Sequence, residues 1–206
     1  LPTSNSRECQ YEEELRESMD VLFKWVSLRL LQQQETDQTY TSYVQFTWQL
    51  LDFLIRRDCY LSNYEAEVVL PLLIHQSPRP QQISLQDGSA SLHNFLVALC
   101  KIYPASKLFG IFFETISGNG NSSKAQELCL VEVAHLLNRH GLTVCRPSQT
   151  LPVLATFVDD TDMATPSSAM SEAATRAIVE AYLHGRDLVW SHLGDISVNR
   201  RQRILH

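Results

Sequence analysis

Pairs of apolar helical segments, each pair split by a polar loop, return along this chain at nearly constant spacing. The first segment, EEELRESMDVLFKWVSLRLLQQQ, places Leu15, Met19, Leu22, Val26 and Leu30 on one helical face. Its acidic start suits the helix dipole. The polar patch ETDQTYTS separates it from YVQFTWQLLDFLIRR, which is apolar on nearly all sides, as a buried helix is. YEAEVVLPLLIHQ follows, with Pro71 expected to kink it or mark a turn. SPRPQQISLQDG reads as loop from its proline, glycine and serine content. SASLHNFLVALCKIY resumes helix, and Pro104 opens ASKLFGIFFETI where a missing N–H costs little. SGNGNSS is loop, and KAQELCLVEVAHLLNRH is a helix closed by Gly141. TLPVLATFV and SEAATRAIVEAYLHG flank the loop DDTDMATPSSAM, and the second of them again ends on glycine. RDLVWSHLG is a short helix, and SVNRRQRILH starts another. Valine and isoleucine do not alternate with period two, so strands have no support.

First helices of the pairs are expected near Met19, Tyr64, Ala105, Leu151 and Asp187. The first three intervals are roughly 40–47 residues, the period of HEAT and armadillo arrays. The expected fold is therefore all-α: a HEAT-repeat α-solenoid of about four helical pairs plus a terminal helix. It should occupy residues 13–206, after a linker or N-terminal extension over residues 1–12. Single pairs cannot bury their apolar faces alone, so they stack. Stacking collects every intra-pair loop along one edge, which is where a protein partner would be gripped.

Composition narrows the function classes. Hydrophobic residues make up 44% and charged residues 19%, enough apolar content for a core and too much for a disordered chain. A net charge of -6 argues against nucleic acid, whose phosphates must be met by lysine and arginine. No apolar run approaches the ~18 residues of a membrane span. The start, LPTSNSRECQ, is neither basic nor apolar and so is not a signal peptide. It lacks an initiating methionine, and the chain reads as a piece of a longer protein. The five cysteines are odd in number and widely spaced, with no CxxC pair, which argues against zinc. They fit reduced thiols in the cytosol, with Cys100 and Cys129 as small core residues.

Chemical motifs are weak. GNGNSSK has Gly118, Gly120 and Lys124, but no GK pair, Ala125 after the lysine and a helix before it; a phosphate loop needs the opposite in each respect. Asp159, Asp160 and Asp162 lack the glycine and distal glutamate of a calcium loop and fit a polar loop with a capping role. His135 and His140 lie five apart, which is not the helical zinc spacing. No nucleophile elbow is present. Trp25, Trp48 and Trp190 sit at helical spacing and read as core. Tyr40, in the first loop, has no apolar neighbour that demands burial. Arg200, Arg201 and Arg203 form a basic C-terminal cluster that either meets an acidic partner or is solvated. No catalytic residue, metal or cofactor follows from these patterns.

Several segments carry a resemblance: LFKWVSLRL, CYLSNYEAEVVLPLLI, YPASKLF, CLVEVAHLLNRHGLTVCRP and AATRAIVEAYLHG, in order from about Val21 to about Gly194. YPASK and the G-x-x-V-C-x-P run at Gly141 are the most specific. Together they resemble a TOG domain of the ch-TOG and Mini spindles microtubule-polymerase family, most of all the domains late in its array. The resemblance implies a paddle of paired HEAT helices whose intra-repeat loops contact tubulin. It implies a part in microtubule dynamics and spindle assembly, a cytoplasmic, microtubule-associated location, and no enzymatic activity or cofactor. Tubulin or the microtubule lattice is the implied partner, with other microtubule-associated proteins beside it, and the isolated domain is expected to be monomeric. A complete family domain usually has an earlier repeat with an aromatic contact in its loop, and this chain starts too late for a full copy.

Under that resemblance the candidate tubulin contacts are Thr39 and Tyr40 in the first loop and Thr47 beyond it. Gln86, Ser89 and His93 belong to the second, Lys124 and Gln126 to the third, and Ser168 and Ser171 to the fourth. The family often has lysine or arginine near Thr47, Ser89, Ala90, His93, Gln126 and Ser171. Among the aligned positions, Lys124 keeps the charge. Lost rim charge weakens steering first. The alternative is a divergent TOG-like scaffold that has lost tubulin binding and serves as a structural or adaptor module.

Overall fold

The computed structural model describes residues 11, 13–32, 38–76, 92–118, 123–160 and 168–205. Apart from Tyr11, the extension expected over residues 1–12 lies outside them. The described residues are helical, with no strand among them. The helices are α1 (Met19–Gln32), α2 (Gln38–Arg56), α3 (Asn63–Gln76), α4 (Leu92–Leu99) and α5 (Ala105–Ser117). After them come α6 (Ser123–His140), α7 (Pro147–Thr156), α8 (Ala169–Gly185), α9 (Asp187–Leu193) and α10 (Val198–Leu205). A 3-10 turn, Gly141–Val144, links α6 to α7. The result is a HEAT-repeat solenoid, with α1/α2, α3/α4, α5/α6 and α7/α8 as pairs and the two short helices α9 and α10 closing the row.

First helices start at intervals of 44, 42, 42 and 40 residues. The fourth pair fits the period better than the sequence reading did, because α7 starts at Pro147 rather than near Leu151. Proline at a first helical position has its φ preset and loses no bond. The same period reappears in the bonds between neighbouring pairs. Arg16 Nη2 donates to the Tyr60 carbonyl at 2.9 Å and Lys107 Nζ to Asn63 Oδ1 at 2.7 Å, each across 44 residues. Asn138 Nδ2 donates to Glu180 Oε2 at 2.6 Å across 42, and His184 Nε2 to the Asn138 carbonyl at 3.0 Å across 46.

One continuous core runs through the stack. α5 buries Leu108, Phe109, Ile111, Phe112, Thr115 and Ile116, and α6 buries Cys129, Leu130, Val133, Ala134, Leu136 and Leu137. The second helices α6 and α8 share the most extensive contact. α8 buries Ala173, Ala174, Ala177 and Ala181. Side chains this small let two helix axes approach closely.

Three local expectations need adjusting. Pro71, expected to kink a helix or mark a turn, marks no turn, because α3 runs through it; the proline has no N–H for the carbonyl one turn earlier, which is the bond a kink opens. Trp48 is core at 4% exposure, but Trp25 is 43% exposed. Met19, Phe23 and Val26 occupy the buried face of α1, leaving Trp25 to lie edge-on against Tyr43 and Phe46 from outside. Gly185 is the last residue of α8, and the positive φ of +48° beyond it falls on Arg186. Space, not backbone freedom, requires that glycine: a Cβ there would run into Leu142 Cδ1 and lie 3.1 Å from Val189 Cγ2.

Gly110, in mid-α5, is the opposite case, since a Cβ there meets nothing within 4 Å. Gly110→Ala should therefore stabilise the chain by about 0.5–1 kcal/mol. Gly185→Ala should destabilise it by about 1–2 kcal/mol, because overpacking outweighs the helix gain. Urea midpoints moving in opposite directions would bear this out, and a rise for both would remove the close Leu142 contact from the account.

Candidate functional site

The intra-pair loops lie at the C-terminal ends of α1, α3, α5 and α7. Much of them, including Gln86, Ser89, Ala90, Gly120 and Asp162, lies outside the described residues. The flanks are described, and they show how this edge is built.

At the third loop, Gly118 closes α5 by donating its N–H to the Glu114 carbonyl at 2.9 Å. α6 starts at Ser123. Gln126, half-buried, donates from Nε2 to the Ile116 carbonyl at 2.9 Å. It satisfies one of the carbonyls a helix end leaves open and ties the two helices together. A side chain committed in this way is a hinge pin of the pair rather than a free contact. Lys124 is exposed in the first turn of α6. That turn has no acidic residue, so the cation stands against the positive end of the helix dipole. Helix stability therefore gives no reason for a lysine there.

At the fourth loop, Asp159 and Ser168 face each other across residues 161–167. Ser168 is the N-cap of α8, its Oγ accepting from the Ser171 N–H at 3.2 Å. The Ser168 N–H donates to Asp159 Oδ2 at 2.8 Å, and the Asp159 N–H donates to Ser171 Oγ at 2.8 Å. The Ser168 backbone N–H holds the Asp159 carboxyl below its ordinary range. Ser197 Oγ donates to Asp160 Oδ1, and Arg200 Nε donates to the Val158 carbonyl at 3.0 Å. Asp159 thus ties the end of the α7 segment to the start of α8, and Asp160 ties it to Ser197 just before α10; among the described residues no group of histidine, cysteine and carboxylate side chains is arranged to hold a metal.

The other candidates divide clearly. Thr47 is fully buried and donates from Oγ1 to the Tyr43 carbonyl at 2.8 Å, so it does not reach a partner. Its spacing from Leu51 and Leu54 puts it on the buried stripe of α2, a signal the sequence already held. Ser171, also fully buried, is closed off in the same way. Thr39 and Tyr40 belong to the first turn of α2 rather than to a loop. Polar residues can extend a formed helix, since each added residue brings its own hydrogen bond. His93 lies in the first turn of α4. Lys124 and Ser168 are left as exposed members of the set whose side chains the structure describes.

Elsewhere, the basic C-terminus is fastened to the body: Arg200 through Val158, and Arg201 with its guanidinium carbon 5.2 Å from the Trp190 ring centre. Burial pushes the Cys129 thiol up to about 12 and raises those of Cys100 and Cys145, leaving them protonated and unreactive. Sequence reasoning missed cation–aromatic contacts within the first pair and between it and the second. Arg29 lies 5.7 Å from the ring centre of Trp25, and Lys24 lies 4.9 Å from that of Tyr64.

No protein-family model matches the chain. Solved structures do. One, described as "TOG-tubulin binding specificity promotes microtubule dynamics and mitotic spindle formation", matches with a TM-score of 0.70 and 19% identity. That match covers 96% of this chain and 74% of the other. Another, "TOG domain structure from C.elegans Zyg9", matches with a TM-score of 0.66 and 14% identity over all of this chain and 76% of the other. The fold is thus the helical paddle of TOG domains.

Proposed function

We propose that this chain is a tubulin-binding module of TOG type, gripping tubulin or the microtubule lattice through its intra-pair loop edge. It acts by binding alone, as one part of a microtubule polymerase that regulates microtubule dynamics and spindle assembly in the cytoplasm. The observation that carries this reading is the paddle itself, matched over 96% of the chain, with a cation exposed at the start of α6 on its loop edge. Scarce positive charge on that edge makes the contact weak, and linkage to other modules would raise its effective concentration. The test is co-sedimentation with taxane-stabilised microtubules across a salt series, beside gel filtration with free tubulin. Salt-sensitive binding to either form supports the reading. A folded chain that binds neither at low salt overturns it.

Lys124→Glu should weaken that binding roughly fivefold, the scale of an exposed ion pair, mainly through the association rate. Unchanged affinity in an intact fold would remove Lys124 from the contact.

The second reading is an adaptor that keeps the paddle and has lost tubulin. The inward commitment of Thr47, Gln126 and Ser171 favours it, because these edge positions serve the fold. The same co-sedimentation separates the two readings.

A further inference from the structure

The first pair leaves an apolar face uncovered. Met19, Phe23 and Val26 are fully buried on one side of α1. Val21, Trp25 and Leu28, spaced by four and three residues, lie together on another, at 60%, 43% and 57% exposure. Tyr43 and Phe46 hold the Trp25 ring in place at the surface, with ring centres 5.5 and 6.5 Å away. Apolar residues exposed singly need no explanation, but a contiguous face rimmed by charge marks a site of association.

The charges along this helix are sorted. Glu13, Glu17 and Asp20 are exposed at and before its start, and Lys24 and Arg29 are exposed beyond them. Arg16, the cation among the acids, is turned to Glu65 and the Tyr60 carbonyl. Within the chain the sorting gains little: Asp20 and Lys24 meet at 3.8 Å, each about half exposed, and such a pair is worth little. It does fit a second copy. Laid antiparallel against itself, the helix sets its acidic start beside the basic stretch of its partner, twice over, with the apolar faces of both copies between. A parallel arrangement would set acid against acid and base against base. An acidic or a basic peptide would match one end of the face and be repelled by the other.

We propose that this face of α1 is an isologous interface between two copies of the chain, in place of the monomer expected for the isolated domain. A two-fold axis makes every contact occur twice, and such dimers are the commonest oligomers. A face one helix wide gives a weak dimer, since standard interfaces bury about 800 Å² per partner. The proposal stands on association alone and does not depend on tubulin.

The test is sedimentation equilibrium at low salt, from micromolar to near-millimolar chain. The average mass should rise towards twice that of the chain, and added salt should lower it. Val21→Ser with Leu28→Ser, both at exposed positions, should hold the mass at the monomer value and leave melting unchanged. The charges give a sharper test. Glu17→Lys with Asp20→Lys makes this stretch of α1 basic; Lys24→Glu with Arg29→Glu makes it acidic. Each variant alone should be monomeric, and an equimolar mixture of the two should form the dimer again. A merely structural role for these residues would not produce that rescue. Adding the two serine changes to the mixture should remove it. An unaltered chain that stays monomeric throughout would overturn the proposal and leave the face to a further helical pair. So would a serine variant that associates as the unaltered chain does, or a mixture of charge variants that stays monomeric. Should the serine or the charge variants fold poorly, the other set decides by the same readout.

Discussion

Phe112→Ala should lower stability by about 3–5 kcal/mol, the range for removing a buried aromatic ring. Phe112 is 1% exposed in the middle of α5. It also lines a hollow of about 250 Å³ with Leu96, Cys100, Leu108 and Leu136. The hollow is open on one side, where Glu132, His135, Asn138 and Arg139 line it. Loss of the ring enlarges a space the surrounding helices already leave, so little collapse offsets the cost, which rises with the cavity that remains. Urea unfolding should show the midpoint falling with the slope unchanged. A loss under about 1 kcal/mol would mean that the helices do collapse inward, and that their spacing is set less firmly than the stacking account requires.

Ala177→Leu should cost about 1–3 kcal/mol, with the upper end expected. Ala177 is fully buried in α8, on the same side of the helix as Ala173, Ala174 and Ala181, and α8 packs more extensively on α6 than any other two helices do among the described residues. Three added carbons have no vacancy to enter, so α8 must move away from α6 or the leucine must leave its rotamer. The neighbouring position is the control. Arg176 is exposed and lies 4.0 Å from Glu180, so Arg176→Leu should change stability by only about 0.5 kcal/mol. Equal losses at the two positions would show that helix propensity or solubility, and not close packing, is being measured. A shift of α8 would also disturb the His184–Asn138 and Asn138–Glu180 bonds. Selective loss of amide protection along α6 and α8 would then accompany the fall in stability.

Legibility was uneven, and the unevenness has a physical pattern. Helix existence was readable nearly everywhere, because apolar spacing of three and four residues follows from the geometry of one helix. Boundaries were less so: the polar patch ETDQTYTS reads as loop through Ser42, yet α2 starts at Gln38. Trp25 was assigned to the core because the residue type favours it, while the face it shares decided otherwise. Thr47 and Ser171 were placed on the binding edge by alignment to a resemblance, although Thr47 with Leu51 and Ser171 with Ala174 and Ile178 already traced buried stripes.

The sequence does not reveal that Gln126 is occupied, since its partner, the Ile116 carbonyl, lies across a turn whose path the residues do not specify.

By itself, then, the sequence determined the helical class, the repeat period and most of the buried faces, all of which follow from the 3.6-residue turn acting within single segments. Only the tertiary structure decided which polar side chains serve the fold and which stay available to a partner. The bonds between neighbouring pairs reach 42–46 residues along the chain, and a side chain is committed or free only once the pair that far away has stacked against its own.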